Sequence, residues 1–154
     1  MNRPPKEGAT KEIAAFIAKY TPRLGAQLRG SRRKLRALIP RGYEFVYDNY
    51  NALVFAFGPS ERPSSAMISV AGYPEWVTLF FLPGTRLKDP HQLLQESGSK
   101  VRSVRLASPR DLDTAPVRAL IKQALARLAK DFAKAPKLST QIRVVSAKQR
   151  PRRP

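Results

Sequence analysis

The chain of 154 residues contains no cysteine and a single histidine, His91. Disulfides, thiolate metal sites and cysteine nucleophiles are thereby excluded. Gly-rich phosphate loops, nucleophile elbows and metal-spaced histidine sets are also missing. His91 has no partner set for general-base work and reads as a surface residue beside Asp89-Pro90. No run approaches the roughly 18 apolar residues that a membrane helix requires. The first residues, Met1 to Gly8, lack the apolar core of a signal peptide. A cytoplasmic protein with no membrane partner is the expectation. Acids are scarce as well: eleven Asp and Glu face 29 Lys and Arg, a formal net charge of +18. A field of that size attracts polyanions.

What is present fits one domain with a real core, since 42% of the residues are hydrophobic. Residues 1–9 read as a flexible tail. Residues 135–154 carry six basic side chains and no acid, and read as a disordered basic tail. Between them, Ile13, Phe16 and Ile17 place a helix over Lys11 to Lys19. Thr21-Pro22 starts a second helix that runs to Ile39, with Leu24, Leu28, Leu35, Leu38 and Ile39 on its buried stripe. Strands are expected over Tyr43 to Tyr47, Leu53 to Phe57, Met67 to Ala71 and Val77 to Leu82. A short helix follows from His91 to Glu96, then a strand from Val101 to Leu106. Asp113 is expected to cap a long helix from Thr114 to Lys134. The fold class is α+β: an antiparallel sheet of about five strands with N- and C-terminal helices on one face.

The segment Leu79-Phe80-Phe81-Leu82-Pro83-Gly84-Thr85-Arg86-Leu87-Lys88-Asp89-Pro90, with Leu93-Leu94 and Gly98-Ser99-Lys100 before Arg102 and Arg105, resembles the YdhG-like family of small bacterial domains. The resemblance spans Ile13 to Leu128 and implies the same α+β order. Some members are described as frataxin-like iron chaperones, which makes an iron or small-molecule carrier the alternative function. Iron on oxygen ligands needs clustered carboxylates, and the chain from Ile13 to Tyr43 has none.

Two basic groups are candidate anion sites. Arg29, Arg32, Arg33 and Arg36 share a helical face by three- and four-residue spacing, and guanidiniums suit phosphate. Arg150, Arg152 and Arg153 end the chain like a nucleic-acid arm. A third candidate is a pocket on the uncovered sheet face, lined by Tyr47, Tyr50, Trp76 and Arg102, with Arg105 on the opposite side of its strand from Arg102. Glu44 and Asp48 share a strand face but stand about 13 Å apart, too far to share a proton. The expectation is a non-enzymatic domain, needing no cofactor, that binds an anionic partner such as nucleic acid.

Overall fold

The computed structural model describes residues 9–154. Helix α1 spans Ala9–Ala18 and α2 spans Pro22–Leu38. The Thr21 hydroxyl accepts from the Leu24 amide at 3.3 Å, and Pro22 occupies the first turn. Strands β1 (Tyr43–Asp48), β2 (Leu53–Gly58), β3 (Ile68–Gly72) and β4 (Val77–Phe81) follow as an antiparallel meander. Then come β5 (Gln95–Glu96), β6 (Arg102–Leu106), α3 (Ala115–Ala126), α4 (Ala129–Lys134) and β7 (Ser139–Val145). The sheet has seven strands in the order β5-β6-β4-β3-β2-β1-β7. All neighbours are antiparallel except β1 and β7, which run parallel.

The α+β class stands, but the sheet is larger than the five strands expected and is mixed. Two elements, β7 and β5, account for the difference, and the final helix departs from expectation as well. The C-terminal segment is no disordered tail: residues 139–145 pair with β1 along its length, and Ile142 enters the core. Ladder hydrogen bonds and one buried aliphatic side chain offset the ordering entropy that its composition alone does not. The helix expected over 91–96 is absent. The Asp89 carboxylate accepts from the Leu93 and Leu94 amides, Gln92 takes a left-handed φ of 54°, and Gln95 and Glu96 join β6. The long final helix breaks at Arg127 and Leu128, and Asp113 pairs with Lys34 and Arg118 instead of capping it. Of the N-terminal tail, residues 1–8 lie outside the described residues, while Ala9 is helical and buried.

Register sorts the strand side chains onto two faces. Val46, Leu53, Phe55, Phe57, Ile68, Val70, Val77, Leu79, Phe81, Val104 and Leu106 point to one side and form a single core with Ile13, Phe16, Ile17, Leu24, Leu28, Leu35, Leu120 and Ile121. None of the strand residues on the other side joins that core. All the described helices pack against the first side, with α4 contributing Phe132. Gly72 permits the close approach of α2, because a Cβ there would lie 2.6 Å from Leu28 Cδ2. Tyr20 ties α1 to the sheet: its hydroxyl donates to Gly72 O at 2.6 Å and accepts from the Leu53 amide at 3.0 Å.

Candidate anion-binding surface

The arginine run on α2 divides into two pairs. Arg32 grips Glu44 in bidentate fashion, Nε to Oε2 at 2.8 Å and Nη2 to Oε1 at 2.9 Å. Arg36 Nη1 reaches the same carboxylate and Thr140 Oγ1, and Thr140 donates to Glu44 Oε1 at 2.7 Å. Arg32 also lies over the Phe55 ring at 4.8 Å. Glu44 has no exposed surface. Burial by itself would raise its pKa, but Arg32, then the charge of Arg36 and the Thr140 hydroxyl, outweigh that and hold it below the ordinary glutamate value. Arg32 and Arg36 therefore neutralise a buried charge and do not present a phosphate-binding face. Arg29 and Arg33 remain exposed and make no ion pair among the described residues.

The C-terminal arginines are corrected in the same way. Arg152 is 4% exposed, with Nη2 on Asp48 Oδ1 at 2.9 Å and Nη1 on Tyr50 O at 3.1 Å. Lys19 Nζ holds the other Asp48 oxygen at 2.7 Å and Gln149 Oε1 at 3.0 Å. Burial pushes the Asp48 carboxyl up; hydrogen bonds from Lys19, Gln149 and Arg152 more than reverse this. Arg153 caps the end of α1, with Nε on Lys19 O at 3.2 Å, a favourable place for a cation. Arg150 and Arg153 stay exposed; Arg150 lies over the Tyr50 ring at 5.6 Å, while its amide donates to Tyr50 O at 2.8 Å. The segment after β7 is thus a strap closed by a buried ion pair, and not a free arm. One signal for it stood in β1: acids four positions apart on one strand face, 44 and 48, in a strand otherwise apolar or aromatic.

The four residues expected to line a sheet-face pocket do not converge. Arg102 pairs in register with Phe81 and belongs to the helix side, where its Nη1 donates to Gly98 O and Val101 O. Tyr50 sits in the β1–β2 turn. Tyr47 does lie on the second face, in the register row Tyr47, Val54, Ala71, Thr78, Arg105. Four strand spacings place Tyr47 and Arg105 about 19 Å apart. Trp76, in the β3–β4 turn, stacks on Tyr73 at 5.4 Å, and Arg105 lies over the indole at 4.4 Å. Of Arg102 and Arg105, it is thus Arg105 that lies on this face, as strand alternation allowed.

The second face has a consistent chemistry. The adjacent row reads Phe45, Ala56, Ser69, Phe80, Ser103. Small residues run down the middle, and Tyr43, Tyr47 and Phe80 stand half-buried beside them. Arg143, at the register shift in β7, lies over the Phe45 ring at 5.9 Å. Burial raises the Tyr47 pKa, with Arg143 opposing it. The strand carboxylates Glu44, Asp48 and Glu96 all fall on the opposite side by register, so the described strands present no acid here. Beyond Trp76 a cavity of about 760 Å³ opens between the start of α2, the β3–β4 turn and the end of β6.

Comparisons with family models, with curated proteins and with solved structures return no match. Among the described residues no helix is long and apolar enough to cross a membrane. Nor, among them, do three His, Asp or Glu side chains come together to hold a metal ion.

Proposed function

We propose that the chain is a non-enzymatic binding domain of the YdhG-like type, and that its second sheet face takes an anionic polymer, single-stranded nucleic acid. The observation that carries this reading is the sorting of charge across the sheet. Every strand carboxylate lies on the helix side, while the other face and its margins pair arginine with aromatic rings: Arg105 with Trp76, Arg143 with Phe45, Arg150 with Tyr50. Guanidiniums supply phosphate contacts, and the accessible rings, Trp76 and Tyr50, supply stacking worth about 1–3 kcal/mol per base, while the fully buried Phe45 only backs Arg143. Such a face suits a strand with splayed bases more than a duplex, whose bases are stacked inside. The iron reading of the family resemblance gains no ligand set from these residues.

The test is binding of a labelled single-stranded oligonucleotide across a salt series. Three phosphate contacts predict a log–log salt slope of about −2, from roughly −0.7 per contact on single strands. Changing Arg105 and Arg143 together to Gln is expected to weaken binding and flatten the slope. Binding that ignores salt, or that responds equally to Arg29→Gln with Arg33→Gln on α2, overturns the assignment to this face.

A further inference from the structure

The cavity beside Trp76 has its own chemistry. Its walls include Arg23 and Gln27 from α2, Glu75 and Trp76 from the β3–β4 turn, and Arg105 and Leu106 from β6. Its size, about 760 Å³, lies within the range of small-ligand sites. Arg23 is exposed and makes no hydrogen bond or ion pair among the described residues. Arg105 is held over the indole, so one guanidinium is already placed against a ring and the other is uncommitted. The remaining polar groups have a defined sense. Gln27 commits its Nε2 to Leu106 O at 2.8 Å, which leaves its carbonyl oxygen to accept. Glu75, also without a partner among the described residues, is an acceptor when ionised.

We propose that this cavity binds one nucleotide unit: a flat heteroaromatic ring packed against the Trp76–Arg105 pair, with its phosphate on Arg23. The pairing of ring and cation matches that ligand on both counts. Aromatic and guanidinium planes both stack nucleobases, and an arginine can grip a phosphate with two parallel donors. The acceptors Gln27 Oε1 and Glu75 give a direction to specificity. They favour a ring bearing an amino group, as cytosine does, and leave uracil without a donor to offer at its position 4. The ring and phosphate are the same in a free mononucleotide and in one residue of a strand, so the site stands whether or not the rest of the second face binds a polymer.

Trp76 is the chain's one tryptophan, so its fluorescence reports on this cavity directly. The intact protein is titrated with cytidine 5′-monophosphate, uridine 5′-monophosphate, cytidine, inorganic phosphate and a short oligocytidylate. Saturable quenching by cytidine monophosphate is expected, with weaker binding of the uridine nucleotide and of the unphosphorylated nucleoside, and no quenching by phosphate alone. Arg23→Ala and Arg105→Gln each are expected to weaken it about tenfold, the loss of one charge-assisted contact. Glu75→Gln is expected to narrow the cytidine-over-uridine preference. Quenching by the oligonucleotide alone identifies a strand as the source and supports the site. No saturable change with any ligand, or quenching indifferent to both arginine variants, overturns it. So does oligonucleotide binding, seen by anisotropy of a labelled strand, that leaves Trp76 unchanged; that result confines the polymer reading to the Arg143 and Arg150 side of the sheet face.

Discussion

Replacing Glu44 by Gln isolates the buried charge between α2 and β1. The side chain keeps its shape and an oxygen for Thr140, but Arg32 and Arg36 lose their counter-ion. Breaking a fully buried pair costs about 3–5 kcal/mol, because the remaining charge is left uncompensated. Here the arginine side chains are 19% and 36% exposed, so they can recover part of their hydration. The lower end, about 3 kcal/mol, is the expected loss. For a domain of this size that corresponds to a fall in Tm of roughly 6–12 °C, measured by circular dichroism or calorimetry. The pH dependence supplies a second arm. Glu44 has a folded pKa below its ordinary value, so its contribution is fully present above about pH 4 and fades as pH falls through the folded value. The gap between wild type and Glu44→Gln should therefore be full at pH 7 and close progressively below about pH 4. A gap under about 0.5 kcal/mol at pH 7, or one that stays constant into acid, refutes the argument that this carboxylate is ionised and held by the arginines.

Two further predictions concern the ends of the chain. Arg152→Ala should lower stability by about 2–4 kcal/mol, since it leaves buried Asp48 with Lys19 as its one remaining cation among the described residues, while Arg153→Ala, which removes an exposed contact, should cost under about 1 kcal/mol; urea denaturation of the pair decides it. Equal losses would mean that the strap is held by general charge and not by the buried pair. Tyr20→Phe removes the hydroxyl shared by Gly72 O and the Leu53 amide, with an expected loss of about 1–3 kcal/mol and faster amide exchange at Leu53; unchanged exchange there would count against the bridge.

Several elements were legible because their signals are local. The Thr21-Pro22 start of α2, the stripe of Leu24, Leu28 and Leu35, and the alternation in β1 through β4 each depend on residues a few positions apart. The turn at Asp89 was less so, because a side chain that can cap a helix can equally close a turn, and the left-handed Gln92 chose the latter. Residues 127–128 lie in a run of good helix formers, and no local residue marks the break. At the candidate site the residue types were readable but their partners were not. Arg29, Arg32, Arg33 and Arg36 share one helical face, yet two of them meet Glu44 across the sheet and two meet solvent.

Some properties of this protein need no fold to establish. The absence of cysteine excludes thiol chemistry, the count of acids and bases sets a net charge of +18, and hydrophobic periodicity dictates an α+β chain. Where the charge is spent is a different kind of question. A buried carboxylate recruits whichever cations the tertiary contacts bring within reach, and those come from up to 104 residues away, as with Arg152 and Asp48. The same long-range pairing turned an acid-free, apparently unstructured tail into β7 and its strap. It also left Arg23, Arg105, Arg143 and Arg150 without carboxylate partners among the described residues, at the cavity and along the sheet face where binding is proposed. Composition sets how much positive charge there is; only the packed structure decides which of it is neutralised inside and which remains for a ligand.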